Sequence, residues 1–192
     1  MDRTFNIAPA DRRIAAAGVA QVLGATGVLW MKTLGFAWNA EGRDGIALAP
    51  LLATQATDLR RALAPLSSRI RALGFFAPAA LADLVALSPL AEEAGVPVVC
   101  EMAHRLETDH ARVTALIRCI RPALEDIEDT ASCLVLDGRL GAREAATSAL
   151  AAFGRDSPPS GLLAESVLGS FGVFEASGDG ARREDGHGAL RR

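Results

Sequence analysis

Three histidines, three cysteines and 23 acidic side chains are the groups in this 192-residue chain that could hold a metal or move a proton. Glu101 with His104, and Glu107 with His110, each have the Glu-x-x-His spacing that sets two donors on one helix face, as iron-binding bundles do. A di-iron bundle takes such a pair from two different helices, however, and the remaining histidine is His187, near the end of the chain. Both pairs therefore read as solvated charge, with His110 at the edge of a core. Cys100, Cys119 and Cys133 are odd in number and widely spaced in apolar surroundings. They fit neither a disulfide framework nor a Cys-x-x-Cys metal site, and read as buried thiols in a reducing cytoplasm. Glu125, Asp126, Glu128 and Asp129 form an acidic group suited to a helix start, where negative charge complements the helix dipole.

The elements that must position these groups are helical. With 50% hydrophobic and 22% charged residues the chain can bury a real core, which excludes a fully disordered protein. A net charge of -3 excludes a body coated in positive charge for nucleic acid, although a local basic tail could still bind phosphate. The run from Ile14 to Met31 is long enough to span a bilayer, but it is rich in Ala and Gly and closes on Lys32, the only lysine. It reads as a helix surrounded by neighbours, and a membrane-associated helical protein is the minor alternative.

Asp11 is a plausible cap for a first helix over about Arg12 to Ala37, and Asn39 to Gly45 is a turn. Leu48, Leu52, Ala56, Leu59, Leu63, Leu66, Ile70 and Leu73 then recur at spacings of three and four, a helical stripe that Gly74 ends. Pro65 inside this stripe should kink or break the helix, whereas Pro50 lies near its start. Pro78 opens a short helix through Ala86. A third long helix starts at Pro97 and stops at Pro122, and a fourth follows from about Ala123 to Phe153. The expectation is an all-α, ferritin-like four-helix bundle with a short helix in the long connection between helices two and three. Its domain is 12–154, preceded by a tail over 1–11. A linker with a possible short helix over 155–176 and a tail without apolar periodicity over 177–192 follow.

Four stretches, LWMKTLGFAWNAEG, SSRIRALG, LADLVALSPLAEE and ETDHARVTALIRCIRPALEDIEDTASCLVLDGRLGAREAATSALAAF, occur in an order that resembles the Dps proteins. These are the miniferritins named for DNA protection during starvation. The Trp38-Asn39 pair, the helix end from Arg69 to Gly74 and the short Leu81 to Leu87 helix are the most specific matches. The resemblance implies a hollow dodecamer that oxidises ferrous iron at sites shared between two subunits and often coats DNA. In that pattern a His precedes the Trp-Asn pair, where this chain has Ala37. A second His and an acid one turn later fall on Ala49 and Ala53, and an acidic pair falls on Ala64 and Ser68.

A methyl group cannot coordinate iron and a lone hydroxyl binds it poorly, so the resemblance implies a ferroxidase centre that has degenerated around Trp38. The expectation is a subunit with no metal at that centre and no catalytic residue, retaining cage assembly as a homo-oligomer or as a mixed cage with an active paralogue. Its cytoplasmic roles would be iron storage, DNA protection or structural support. An active ferroxidase using non-standard or partner-supplied ligands is the alternative. Asp126 and Asp129 fall where relatives line cation pores. Arg182, Arg183, Arg191 and Arg192, interspersed with Asp179, Glu184 and Asp185, are the candidates for salt-sensitive DNA contacts.

Overall fold

The computed structural model describes residues 7–156, with side chains through residue 154, and every element among them is a helix. In chain order these are α1 (Pro9–Asn39), α2 (Gly42–Ala72), α3 (Leu81–Leu87), α4 (Val99–Asp126) and α5 (Thr130–Asp156). The expected fold is present: four long helices, with the short α3 inside the long connection. The short helix expected within the linker over 155–176, the start of the N-terminal tail and the four tail arginines lie outside the described residues.

Cross-helix contacts fix the directions of the helices. Arg69 of α2 reaches Ser132 at the start of α5, and Gln55, farther back on α2, reaches the Ala146 carbonyl farther along α5, so the two run antiparallel. Gly18 packs on Ile120, and Lys32 bonds Asp109, which makes α1 and α4 antiparallel as well. The two-residue link Ala40-Glu41 folds α1 back onto α2. Consequently α2 and α4 point the same way, and the chain must travel the length of the bundle to join them. Residues 73–98, carrying α3, make that crossing.

The core follows from the stripes. Val19, Val22, Leu23 and Leu29 of α1 meet Leu48, Leu52, Leu59 and Leu66 of α2, with Leu106, Val113, Ile117 and Leu136 from the second hairpin. Of the most apolar 18-residue window of α1, 67% is buried within the bundle, so packing accounts for a run that by length alone could cross a membrane. Small residues let α3 close on it: a Cβ on Gly24 would lie 2.7 Å from the Leu84 carbonyl oxygen and 2.9 Å from Leu87 Cβ.

Several boundaries differ from the sequence expectation. α1 starts at Pro9 behind an Ala8 cap that has no side-chain bond, which puts Asp11 in the first turn, where it favours the dipole rather than capping. The turn over 39–45 shrinks to two residues, since Gly42 opens α2 with a φ of 74°, open to glycine at little cost. Pro65 does not break α2, and Pro122 does not stop α4, which runs on to Asp126. Both prolines, and Pro50, lie on exposed faces, as do Ile46, Arg61 and Arg118 four residues earlier, so water can satisfy the carbonyls they release. α4 begins at Val99 rather than Pro97. Gly74 does end α2: at φ 94° its N–H bonds the Arg71 carbonyl and the Phe75 N–H bonds that of Ile70, a Schellman closure.

Candidate metal centre and buried polar clusters

The degenerate centre expected around Trp38 falls on the outer faces of α1 and α2. Trp38 is 70% exposed, Ala37 is half-buried against the core, and Ala49 is half-buried on α2. Ala53, Ala64 and Ser68 face solvent farther along α2. Iron demands several carboxylate or imidazole donors at one point, and these six side chains offer a single hydroxyl, so they do not fit the ion. Among the described residues no group of three or more His, Cys, Asp and Glu converges in a way that could hold a metal. Beside Trp38 a groove of about 490 Å³ runs between α1, α3 and the loop before α4, lined by Met31, Phe36, Leu81 and Val85 with Glu92 and Glu93 at its polar edge. Glu93 is engaged by Arg105 at 2.9 Å.

Neither Glu-x-x-His pair forms a site. Glu101 bonds Arg105 at 2.6 Å, and exposed His104 stands 3.8 Å from Glu107. His110, expected at the core edge among solvated charges, is instead only 1% exposed, and neither ring nitrogen has a hydrogen-bond partner. Burial drives its pKa down to about 3, and the nearby Arg143 and Arg139 guanidiniums push the same way, so the ring is neutral at physiological pH. A cation at this imidazole would face both guanidiniums.

The acidic group does not sit at a helix start as a unit. Glu125 and Asp126 end α4, Glu128 makes the turn at φ 58°, and Asp129 caps α5 by accepting the Ser132 N–H at 3.0 Å. Asp129 is 1% exposed and pairs with Arg69 at 2.6 Å while also accepting the Ser132 hydroxyl. Burial alone would raise its carboxyl pKa, but the Ser132 and Arg69 bonds outweigh that and hold it below the usual range. Its oxygens are thus committed to the α2–α5 joint rather than to an open channel, whereas Asp126 faces solvent.

Sequence reasoning missed two buried polar groups. Lys32 bonds Asp109 at 2.6 Å with both side chains nearly enclosed, and Arg112 reaches the same carboxylate at 3.2 Å from the surface. A lone lysine closing an apolar run was the available signal, because a charge there needs a buried partner. Arg143, 1% exposed, had no comparable signal: in the sequence it resembles any other helical arginine. Of the cysteines, only Cys133 is buried, where desolvation raises its thiol pKa, while Cys100 is half-buried and Cys119 exposed, against the expectation of three buried thiols.

No protein-family model matches the chain, and no curated protein matches it. Solved structures do. DpsC from Streptomyces coelicolor superposes with a TM-score of 0.76 at 18% identity, over 82% of this chain and 92% of that one. A Dps protein from Bacillus brevis gives 0.72 at 21% identity, over 75% and 97%. The DPS protein from Vibrio cholerae O1, described as a member of a broad superfamily of ferritin-like diiron-carboxylate proteins, gives 0.73 at 17% identity, over 77% and 92%. At these identities the likeness is one of fold, and it spans nearly the whole of each relative: this chain has the ferritin-like helical bundle of the Dps proteins.

Proposed function

We propose that the chain is a Dps-type miniferritin subunit that assembles into a cage of copies and has lost the ligands of its own ferroxidase centre, acting as a structural or binding subunit. The observation that carries this reading is the set Ala37, Ala49, Ala53, Ala64 and Ser68, which puts no carboxylate or imidazole at any of the five expected ligand positions. In favour of assembly, Trp38 and Leu81 are 70% and 64% exposed and line one groove, apolar surface of the kind a neighbouring subunit covers. One fold relative, from Bacteroides fragilis, is described as a dodecameric thioferritin. Within the cage, Asp126 is the acid we assign to cation entry. The arginines at 182, 183, 191 and 192 would give weak phosphate contacts, multiplied across many copies and lost as salt rises.

The test pairs particle mass with chemistry. Purified full-length protein should run as an oligomer and show no ferrous oxidation above buffer with oxygen or peroxide. Adding an active relative should restore oxidation if the two share a cage. Turnover by the homo-oligomer alone would overturn the reading in favour of an active centre built from other ligands.

A further inference from the structure

A cluster inside the bundle, outside the region around Trp38, has more hydrogen-bond donors and more positive charge than its surroundings answer. Arg143 of α5 is 1% exposed, yet its Nε and Nη2 have no acceptor, and among the described residues it has no ion-pair partner. One turn earlier, Arg139 gives Nη2 to Asp58 of α2 but leaves its own buried Nε unanswered. His110 of α4 adds a ring N–H, since a neutral imidazole donates from one nitrogen. Against these donors the cluster offers the second imidazole nitrogen, Gln55 Oε1, itself unpartnered while Nε2 makes a 3.5 Å bond to the Ala146 carbonyl, and the half-exposed Asp58 carboxylate that Arg139 already engages.

The charges do not balance either. Arg139 and Arg143 bring two positive charges, Asp58 one negative charge, and His110 none. Desolvation, with Arg139 adding to it and Asp58 opposing, lowers the pKa of Arg143 to about 10, which still leaves the guanidinium charged at neutral pH. The neighbouring carboxylate, Asp109, is taken up by Lys32 and Arg112. Ordered water could accept the free N–H groups, but water carries no charge, and two enclosed guanidiniums that share one half-exposed carboxylate keep an uncompensated positive charge, which is destabilising.

We propose that Arg143, with Arg139 Nε and the His110 N–H, binds a small monovalent anion of chloride size inside the bundle, between α2, α4 and α5. The anion supplies in one atom both the missing acceptor and the missing charge.

The experiment uses the full-length protein. Melting is followed in chloride and in gluconate, which is too large to enter, at matched ionic strength and pH 7.5. Crystals grown in bromide are examined for anomalous scattering. The expected result is an apparent Tm about 5 °C higher in chloride, rising and then saturating with concentration, and a bromide peak within hydrogen-bonding distance of Arg143. Arg143→Met should lose the chloride dependence and, in gluconate, melt above the wild type because it buries no bare charge. Equal melting in the two salts, a chloride effect that persists in Arg143→Met, or density showing only water or a carboxylate of the chain's own tail at Arg143 would each overturn the proposal. Should Arg143→Met fail to fold, the wild-type bromide map decides.

Discussion

Lowering the pH from 7 to 5 should destabilise this bundle through His110 while leaving a His110→Leu variant nearly indifferent. The imidazole is 1% exposed with neither nitrogen bonded, and its pKa in the folded chain is about 3 against 6.5 unfolded. A depressed histidine pKa means that the unfolded chain takes up a proton which the folded chain refuses. The stability it protects is therefore fully present above about pH 6.5 and falls away as acid is added. Between pH 7 and pH 5 this linkage amounts to about 2 kcal/mol, which for a domain of this size shifts the apparent Tm by about 4–8 °C. The measurement is a series of thermal melts in halide-free buffer, because an anion beside the ring would ease its protonation. Asp129 and Asp137, both with lowered pKa values, lose their contribution only as the pH falls further, through the carboxylate range, so they do not blur this window. A wild-type slope matching that of His110→Leu, or an NMR titration of His110 near 6.5, would refute the reasoning.

The other perturbations probe joints between helices. Asp129→Ala removes the α5 cap and leaves Arg69, 12% exposed at its side chain, without its carboxylate; a loss of about 3 kcal/mol should appear in urea unfolding, with Ser132→Ala costing about 1. Lys32→Met strands the enclosed Asp109 with only the surface Arg112, and should cost about 3–5 kcal/mol, whereas Lys32→Met with Asp109→Leu should recover most of it. Gly24→Ala drives a methyl into the Leu84 carbonyl and should cost about 1–3 kcal/mol, with hydrogen exchange accelerated across α3 before the rest of the bundle.

Much of this architecture was legible in the sequence because it rests on local signals. The α2 stripe from Leu48 to Leu73, its closure at Gly74 and the short helix before Ser88 each follow from spacing or backbone freedom within a few residues. The two proline errors share one cause, which is that exposure is a tertiary property. Pro65 and Pro122 are read as breaks if their released carbonyls are buried, and as harmless if those carbonyls meet water, and only the packed bundle decides which. The α4–α5 junction was missed because Ala123 to Ser132 has good helix formers on both sides of the turn, and the one local cue was Asp129 as a cap.

Where iron could sit in such a bundle is constrained from two sides. Ala53, Ala64 and Ser68 offer a ferrous ion one hydroxyl between them, and in the interior the donors to consider are those that Glu-x-x-His spacing puts on α4. His110 faces that interior, but Arg139 and Arg143 stand beside it and a second carboxylate does not; Glu107 instead lies near exposed His104. A divalent cation there would be repelled by two guanidiniums in a medium that screens poorly, whereas an anion would be drawn in. The same two arginines that would draw an anion to His110 thus oppose iron at that ring.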